Sequence, residues 1–538
     1  MGEGNADVIR TIVIGGGVAG LATAALLAHE GHSVTLLERN ARVGGRAGVL
    51  ERNGFRFDTG PSWYLMPGVF DHFFDLLGTS TGEQLELHTL DPGYRVFSEP
   101  DGRAPTRVID IPYGDERVME RFEQIEPGSA DVLRAYLASA EHASQLAERH
   151  FLYNPFTKIS GLATAEVIHT LPRLATLLGT SLERFVSRRI SDPVLRQVLG
   201  YPAVFLGTEP RRAPAMYHLM SALDLGDGVK YPMGGFGRVV QRLEELAVER
   251  GVQIHESCEA TEILTSRSGR SLTATGVRLR DRHGTDRIEQ ADIIVAAGDL
   301  HHTETRLLPP GARSYPESWW RRAQSGPGAV LVLLGVSGAL PQLEHHSLFF
   351  TRDWNKSFDA IFRTGTRVPD PTSLYVCRPS ATDPTVAPPD HENLFVLVPV
   401  RPDPELGAGG SNGGGDPEVE RTADAALDQI SRWADVPDLQ ERVVVRETIG
   451  PADFADRYHS WRGGMLGPSH TLRQSALFRP QNQSKRVRNL YYAGASTAPG
   501  VGVPMCLISA ELVLKRIRGD HSAGPTTPRL SMSERTGM

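Results

Sequence analysis

Gly15, Gly17 and Gly20 stand in the spacing G-x-G-x-x-G, and an acidic residue, Glu38, follows the first of them by 23 positions. Three glycines in that spacing allow a tight turn, a close approach of backbone to a pyrophosphate, and close packing of a helix on a strand. Glu38 is placed to accept hydrogen bonds from a ribose. Arg42, Gly44, Gly45 and Arg46 follow as R-x-G-G-R, a second glycine turn flanked by cations. The chemistry these residues suit is the binding of a dinucleotide.

The elements that must position them can be read around them. Thr11 to Ile14 is a short apolar strand, and Val18 to His29 reads as a helix whose first amides, near Val18 and Ala19, point at an anion. Gly31 stops the helix, and Ser33 to Leu37 is a second apolar strand ending at Glu38. Phe55 and Phe57 alternate as in a strand, and Gly60-Pro61 marks a turn; Trp63 and Tyr64 beyond it suit either a cavity wall or the core. Near the other end, LYYAGASTAPGVGVPMCLISA (490–510) is a strand, a glycine and proline turn, and a helix beginning at Val503, Pro504 and Met505.

Taken together, the doublet Gly44-Gly45 and the 490–510 stretch give the chain its resemblance to the FAD-dependent flavoproteins that include amine oxidases, Rab GDP-dissociation inhibitors and carotenoid desaturases. The last stretch resembles the signature of bacterial-type phytoene desaturases most closely. The resemblance implies FAD, held non-covalently, since the second turn is one that nicotinamide enzymes do not need. It implies cofactor contacts at Gly15, Gly17, Val18, Ala19, Gly20, Glu38, Arg39, Gly44, Gly45, Arg46, Gly60, Pro61, Ser62, Ala260, Gly494, Ala495, Val503, Pro504 and Met505. Ala260 enters because VQIHESCEATEIL looks like the strand beside the adenine. Amides at the start of the last helix would face the flavin's pyrimidine edge and favour charge that develops there. Cys506 falls after Met505, inside that helix, and reads as a core cysteine rather than a covalent tether.

The implied fold class is α/β: a discontinuous Rossmann-like FAD-binding domain, an antiparallel-sheet substrate domain and a helical lid. The expected FAD-binding parts are 8–88, 228–303 and 484–518, and the expected substrate-domain parts are 89–140 and 304–483. The helical lid is expected over 141–227, and a disordered tail over 519–538. Between Leu85 and Ile111 the pattern is short and alternating, as in an antiparallel sheet, and 117–212 is helical in period. Within it, Leu171, Leu174, Leu177, Leu178, Leu182, Phe185 and Val186 are interleaved with Arg173, Arg184, Arg188 and Arg189. That mixture suits a lid helix with an arginine face or a helix lying in lipid headgroups. The segment PDPELGAGGSNGGGDPE is low-complexity and is expected to be a mobile surface loop.

Composition narrows the function classes. A net charge of -7 gives no basic field for nucleic acid. The three cysteines, Cys258, Cys377 and Cys506, are far apart, which argues against a disulfide framework and for a reducing compartment. No apolar run approaches the roughly 20 residues of a membrane-spanning helix, and the opening MGEGNADVIR is not a secretory leader. The expected location is therefore cytoplasmic, in peripheral contact with the inner face of the membrane.

The resemblance implies desaturation of a long apolar carotenoid, phytoene towards lycopene, with a quinone or oxygen as electron acceptor. A desaturase for another carotenoid and a carotene isomerase are the alternatives within catalysis. A lipid-binding protein like the GDP-dissociation inhibitors is the non-enzymatic one. Hydride loss would leave an allylic cation, so a weak base suffices; Glu166 and His169, three apart on one helix face, are the candidate catalytic pair. No metal is expected, because the pairs His301-His302 and His345-His346 lack a clear set of partner ligands.

Overall fold

In the computed structural model, residues 8–102, 106–157, 165–363 and 367–528 are described. Five short strands that are far apart in sequence build one parallel sheet, in the order Leu490–Tyr492, Ile293–Ala296, Arg10–Ile14, Ser33–Leu37 and Gln253–His255. The inner strands Ile293–Ala296 and, from Thr11 on, Arg10–Ile14 are largely apolar because a parallel sheet is covered on both faces, whereas the edge strand Gln253–His255 is partly exposed. The helix Val18–His29 is buried along nearly its whole length and is apolar on every side. It is packed between the sheet and the helices Gly235–Glu249 and Val503–Arg518, which a helix without a polar face requires. Gly31, at φ +90, ends it in a conformation that other residues resist.

A second, seven-stranded sheet runs Val443–Ile449, Gly328–Ser337, His391–Val400, Leu374–Cys377, His346–Phe350, Tyr94–Ser98 and Val108–Ile111. The expectation of an antiparallel sheet holds for every neighbour pair but one: His346–Phe350 and Tyr94–Ser98 run parallel. These two strands come from separate passes of the chain, so no hairpin forces them antiparallel. Leu87–Thr89 joins neither sheet and pairs with Lys230–Pro232 instead. The central strand Gly328–Ser337 is buried on both faces, between the helix Pro417–Trp433 on one side and Phe55 and Phe57 on the other. Gly335 admits Phe55 there, since a Cβ would stand 2.6 Å from the ring.

Two further expectations are corrected. The glycine-rich loop packs onto the strand Val443–Ile449: Gly410 N–H donates to Thr448 Oγ1 at 2.8 Å, and a Cβ on Gly409 would lie 1.9 Å from the Thr448 carbonyl oxygen. Its glycines permit close backbone approach rather than mobility. The tail is not disordered over 519–528: Lys515 Nζ donates to the carbonyls of Ser522 and Gly524, and Thr526 N–H donates to Glu511 Oε1 at 2.6 Å. Those buried polar groups on the last helix take their partners from the tail. Residues 529–538 of that expectation lie outside the described residues.

The expected helical region contains Asp115–Ile125, Ser129–Ala147, Ala165–Gly179, Leu182–Ser187 and Pro193–Gly200. The single amphipathic helix read near 171–189 is broken in two at Ser181, which caps the second piece through Arg184 N–H. No helix among the described residues is long and apolar enough to cross a membrane.

Candidate active site

The two glycine turns are packed against each other. Gly17 and Gly44 form a parallel bridge, Gly44 N–H donates to the Gly16 carbonyl at 2.8 Å, and a Cβ on Gly45 would meet Gly17 Cα at 3.2 Å. Gly15 and Gly44, at φ +103 and +115, hold conformations suited to glycine. The glycines differ in what they face. A Cβ on Gly20 would stand 1.9 Å from the Gly15 carbonyl oxygen, so Gly20 serves helix packing and does not line the cavity. A Cβ on Gly17 would meet no protein atom within 4 Å, because Gly17 opens onto a cavity.

Glu38 ends the second strand, 4% exposed, with its carboxylate fixed by its neighbours. Gly16 N–H donates to Oε2 at 2.8 Å, and the Asn40 backbone and side-chain amides each donate to Oε1 at 2.8 Å. The carboxylate is thereby braced beside the phosphate turn with lone pairs left over for hydroxyl donors. Asn40 was not singled out from the sequence; an amide two residues after an acid carries no motif.

The cavity, about 790 Å³, begins at these turns and runs continuously between the two sheets. Of the residues expected to touch the cofactor, Gly15, Gly17, Val18, Ala19, Glu38, Arg39, Gly44, Gly45 and Arg46 line it, as do Gly60, Pro61, Ser62, Ala260, Gly494, Ala495, Val503, Pro504 and Met505. Arg42 is exposed and outside the lining. Arg39 donates to the Asp456 carbonyl and to His459, whose ring stacks on His302 at 3.8 Å. Burial, aided by the neighbouring Arg39 and His459, pushes His302 down to about 3, so the stacked ring is neutral. Asp299 caps the short helix at 300–302, accepting from His302 N–H at 3.1 Å; it also lines the cavity and accepts from Trp461 N–H.

At the far wall, Gly494 takes φ +112 and Gly502 φ +113 around the loop that leads into the helix Val503–Arg518. Arg479, 1% exposed, clamps this loop through the carbonyls of Ala495 at 2.6 Å and Thr497 at 2.9 Å. No carboxylate lies within 4.0 Å of it among the described residues, and burial lowers it to about 10, which leaves it cationic at neutral pH. His470 accepts from Val501 N–H at Nε2, 3.2 Å away, and Gly500 leaves room for its ring. Burial holds His470 well below its ordinary value, so the acceptor nitrogen stays unprotonated. Neither Arg479 nor His470 was legible in the sequence, because both come from irregular segments and reach the loop from 16 and 31 positions away. Cys506, half-buried and packed against the core, also lines the cavity, its thiol pushed up to about 11 by burial.

From the loop the cavity continues between apolar side chains. Trp63, Tyr201, Phe205, Leu206, Phe350 and Leu397 surround it, whereas Tyr64 lies in the core, stacked on Phe70 at 4.1 Å. The cavity reaches the surface beside Leu178, Leu472, Leu477 and Phe478, all exposed, Phe478 at 65%.

The proposed catalytic pair does not meet this cavity. Glu166 sits in the first turn of the helix Ala165–Gly179, bound by Arg149 at 3.0 Å and His150 at 2.8 Å, and His169 is exposed. The cations around Glu166, His150 first, hold its carboxyl below the ordinary range, which suits an ion pair and not a proton acceptor near neutrality. The same helix presents Leu174 and Leu178 to the cavity instead. The expectation that His345-His346 lacks partners is also corrected, since Cys377 stands across from His346 in the neighbouring strand.

The glycine cradle fits FAD: a turn open to the cavity at Gly17, a braced carboxylate, and a helix N-terminus at the opposite wall. Known proteins agree. The family model of flavin containing amine oxidoreductases matches residues 18–517. A carotenoid 3,4-desaturase of Haloarcula japonica is 39% identical over 93% of this chain and 96% of its own. A zeta-carotene-forming phytoene desaturase of Myxococcus xanthus is 33% identical over 98% and 96%. Among solved structures, an oxidoreductase from Methanosarcina mazei shares the fold at a TM-score of 0.60 with 17% identity, covering 94% of this chain and 100% of that one. A putrescine oxidase does so at 0.58 with 14% identity, covering 95% and 99%. With its cradle intact and relatives matching over nearly its whole length, the chain belongs to the flavin-containing amine oxidoreductase family, in its bacterial-type carotenoid desaturase branch, and is an FAD-dependent oxidoreductase.

Proposed function

We propose that the enzyme introduces carbon–carbon double bonds into a long carotenoid hydrocarbon, phytoene towards lycopene being the first reading. The observation that carries this is the single continuous cavity, polar at the glycine turns, apolar beyond them and open beside exposed leucines and Phe478. FAD bound at the turns supplies a two-electron oxidant for a carbon–carbon bond. The chain's own part is position and dryness. Trp63, Tyr201 and Phe205 pack against one another, with ring centroids 5.4 to 6.0 Å apart, and give a rigid wall against which a polyene can lie. Leu206, Phe350 and Leu397 exclude water from the reacting carbons. No strong base is required of this wall, because a proton beside an allylic cation is acidic.

A second reading is favoured by one observation: the identity to the relative named a 3,4-desaturase is 39%, against 33% to the phytoene desaturase. In that reading the substrate already carries a conjugated polyene. The exposed mouth supports delivery of either substrate from a membrane surface, with Leu178, Leu472, Leu477 and Phe478 seated among acyl chains. Electrons then pass to a quinone or to oxygen.

The test is incubation of FAD-loaded enzyme with phytoene, and separately with lycopene, in vesicles with a quinone or with oxygen. The first reading expects new visible bands from phytoene. Bands shifted to longer wavelength from lycopene alone establish the second, and no spectral change with either sinks both.

A further inference from the structure

Behind the wall of the cavity, next to Trp63 and Tyr375, stands a cluster that the oxidation does not use. His346 opens the strand His346–Phe350, and its cross-strand partner is Cys377, the last residue of Leu374–Cys377. His345 precedes it, and the rings of the two histidines are 4.6 Å apart. One ligand atom from each of His345, His346 and Cys377 lies within 4.8 Å of the other two. All three side chains are buried, at 3%, 0% and 1% exposure.

Two features point to a ligand. The Nε2 atoms of both histidines are buried and have no hydrogen-bond partner among the described residues, which is costly for a polar atom and uncommon. Each Nδ1, by contrast, is held by a hydroxyl: His345 by Thr382 Oγ1 and His346 by Tyr375 Oη, both at 2.7 Å. A hydroxyl accepting from Nδ1–H fixes the tautomer in which the Nε2 lone pair is free, which is how imidazoles are oriented toward metals. Stacking of Trp63 on His346 at 4.5 Å fixes that ring further.

We propose that His345, His346 and Cys377 form a binding site for one soft monovalent metal ion of the copper(I) class, set in the wall behind Trp63 and Tyr375. Bonds of about 2.0–2.3 Å to two nitrogens and a sulfur require each ligand atom to move inward by under about 1 Å from its present spacing. Among the described residues no carboxylate joins the three ligands, so a monovalent ion with the thiolate forms a neutral centre, with the carboxylates of Asp58 and Asp383 beyond it acting on Cys377 and His345. Two imidazoles and a thiolate are also donors that suit soft ions. Binding forms one metal–sulfur and two metal–nitrogen bonds and breaks the sulfur–hydrogen bond of Cys377. The proton leaves to solvent, and no electron is transferred. Through His346, Tyr375 and Ser62, whose hydroxyl lies 2.7 Å from Tyr375 Oη, the ion would stiffen the cavity wall.

The test is an anaerobic titration of FAD-loaded, full-length protein with copper(I) against a chromophoric copper(I) chelator. One equivalent withheld from the chelator is expected, with a rise in Tm and, by X-ray absorption, one sulfur and two nitrogen donors. Cys377→Ser, His345→Gln and His346→Gln should each weaken retention at least tenfold, and Cys258→Ser should keep it. Retention unchanged in Cys377→Ser, or lost in Cys258→Ser instead, overturns the site. Tighter retention of zinc(II) than of copper(I) overturns the monovalent assignment. Should the variants fail to fold, the absorption spectrum of the unmodified protein decides: absence of the sulfur donor rejects the proposal.

Discussion

Arg479, buried and with no acidic partner within 4.0 Å among the described residues, donates from Nη2 to the Ala495 carbonyl oxygen at 2.6 Å. A fixed cation therefore stands directly behind the loop that, in the proposed cofactor site, faces the flavin edge, where negative charge would develop on reduction. Arg479→Gln removes the charge while keeping a donor. We expect the flavin's two-electron midpoint potential to fall by about 30 mV or more, equivalent to about 1.4 kcal/mol. Spectroelectrochemistry of the loaded variant checks this, and an unchanged potential shows that Arg479 only shapes the loop.

Gly17 and Gly20 separate binding from folding. A Cβ at Gly17 meets no protein atom, so Gly17→Ala should leave the Tm of the FAD-free protein unchanged while FAD affinity drops at least tenfold. A Cβ at Gly20 strikes the Gly15 carbonyl oxygen, so Gly20→Ala should destabilise the fold by about 1–3 kcal/mol. Thermal unfolding with and without FAD distinguishes the two; equal losses of Tm in both variants would contradict the assignment.

Glu38 accepts from Gly16 N–H and from both amides of Asn40. Glu38→Gln turns one accepting oxygen into a donor that faces another donor. Loss of a buried acceptor costs about 1–3 kcal/mol, so FAD should dissociate roughly 10- to 100-fold more readily, as read by recovery of free-flavin fluorescence.

Asp224 lies between Tyr201, 2.7 Å away, and Tyr94 at 3.4 Å, and burial pushes its carboxyl up to about 7. The folded-state value exceeds the unfolded one. The protonated form therefore stabilises the fold fully below about pH 4, and this contribution is lost as pH rises towards about 7. Stability measured by denaturant should decline over that window more steeply in the wild type than in Asp224→Asn. Asp58, raised to about 6 by burial, declines in both proteins, so the difference between them isolates Asp224. Parallel profiles would show that Asp224 ionises normally.

Phe478 and Leu472, exposed at the cavity mouth, should anchor the enzyme to lipid. Replacing both by Asp is expected to abolish flotation with vesicles while leaving Tm within a few degrees, because neither side chain is buried. Undiminished flotation would place the membrane contact elsewhere.

Gly15, Gly17, Glu38, Gly44 and Gly45 were legible in the sequence because each answers to a local rule: a turn, a close approach, a strand end. Glu166 and His169 were misleading, since helical spacing reveals that two residues share a face but not what the face meets. Leu174 and Leu178 of the same helix reach the cavity, and Glu166 spends its charge on Arg149 and His150. The low-complexity loop misled for a related reason: glycine serves mobility and close packing alike, and only the neighbour at Thr448 separates them.

By itself the sequence determined the dinucleotide cradle, the α/β class and the flavoprotein resemblance, because these are encoded within short stretches whose geometry is local. Tertiary structure alone decided which side chains share the cavity. Arg479 behind Ala495 and Cys377 opposite His346 are brought together by the chain returning to the same loop and by strand pairing, and such meetings are set by the packing of the whole core.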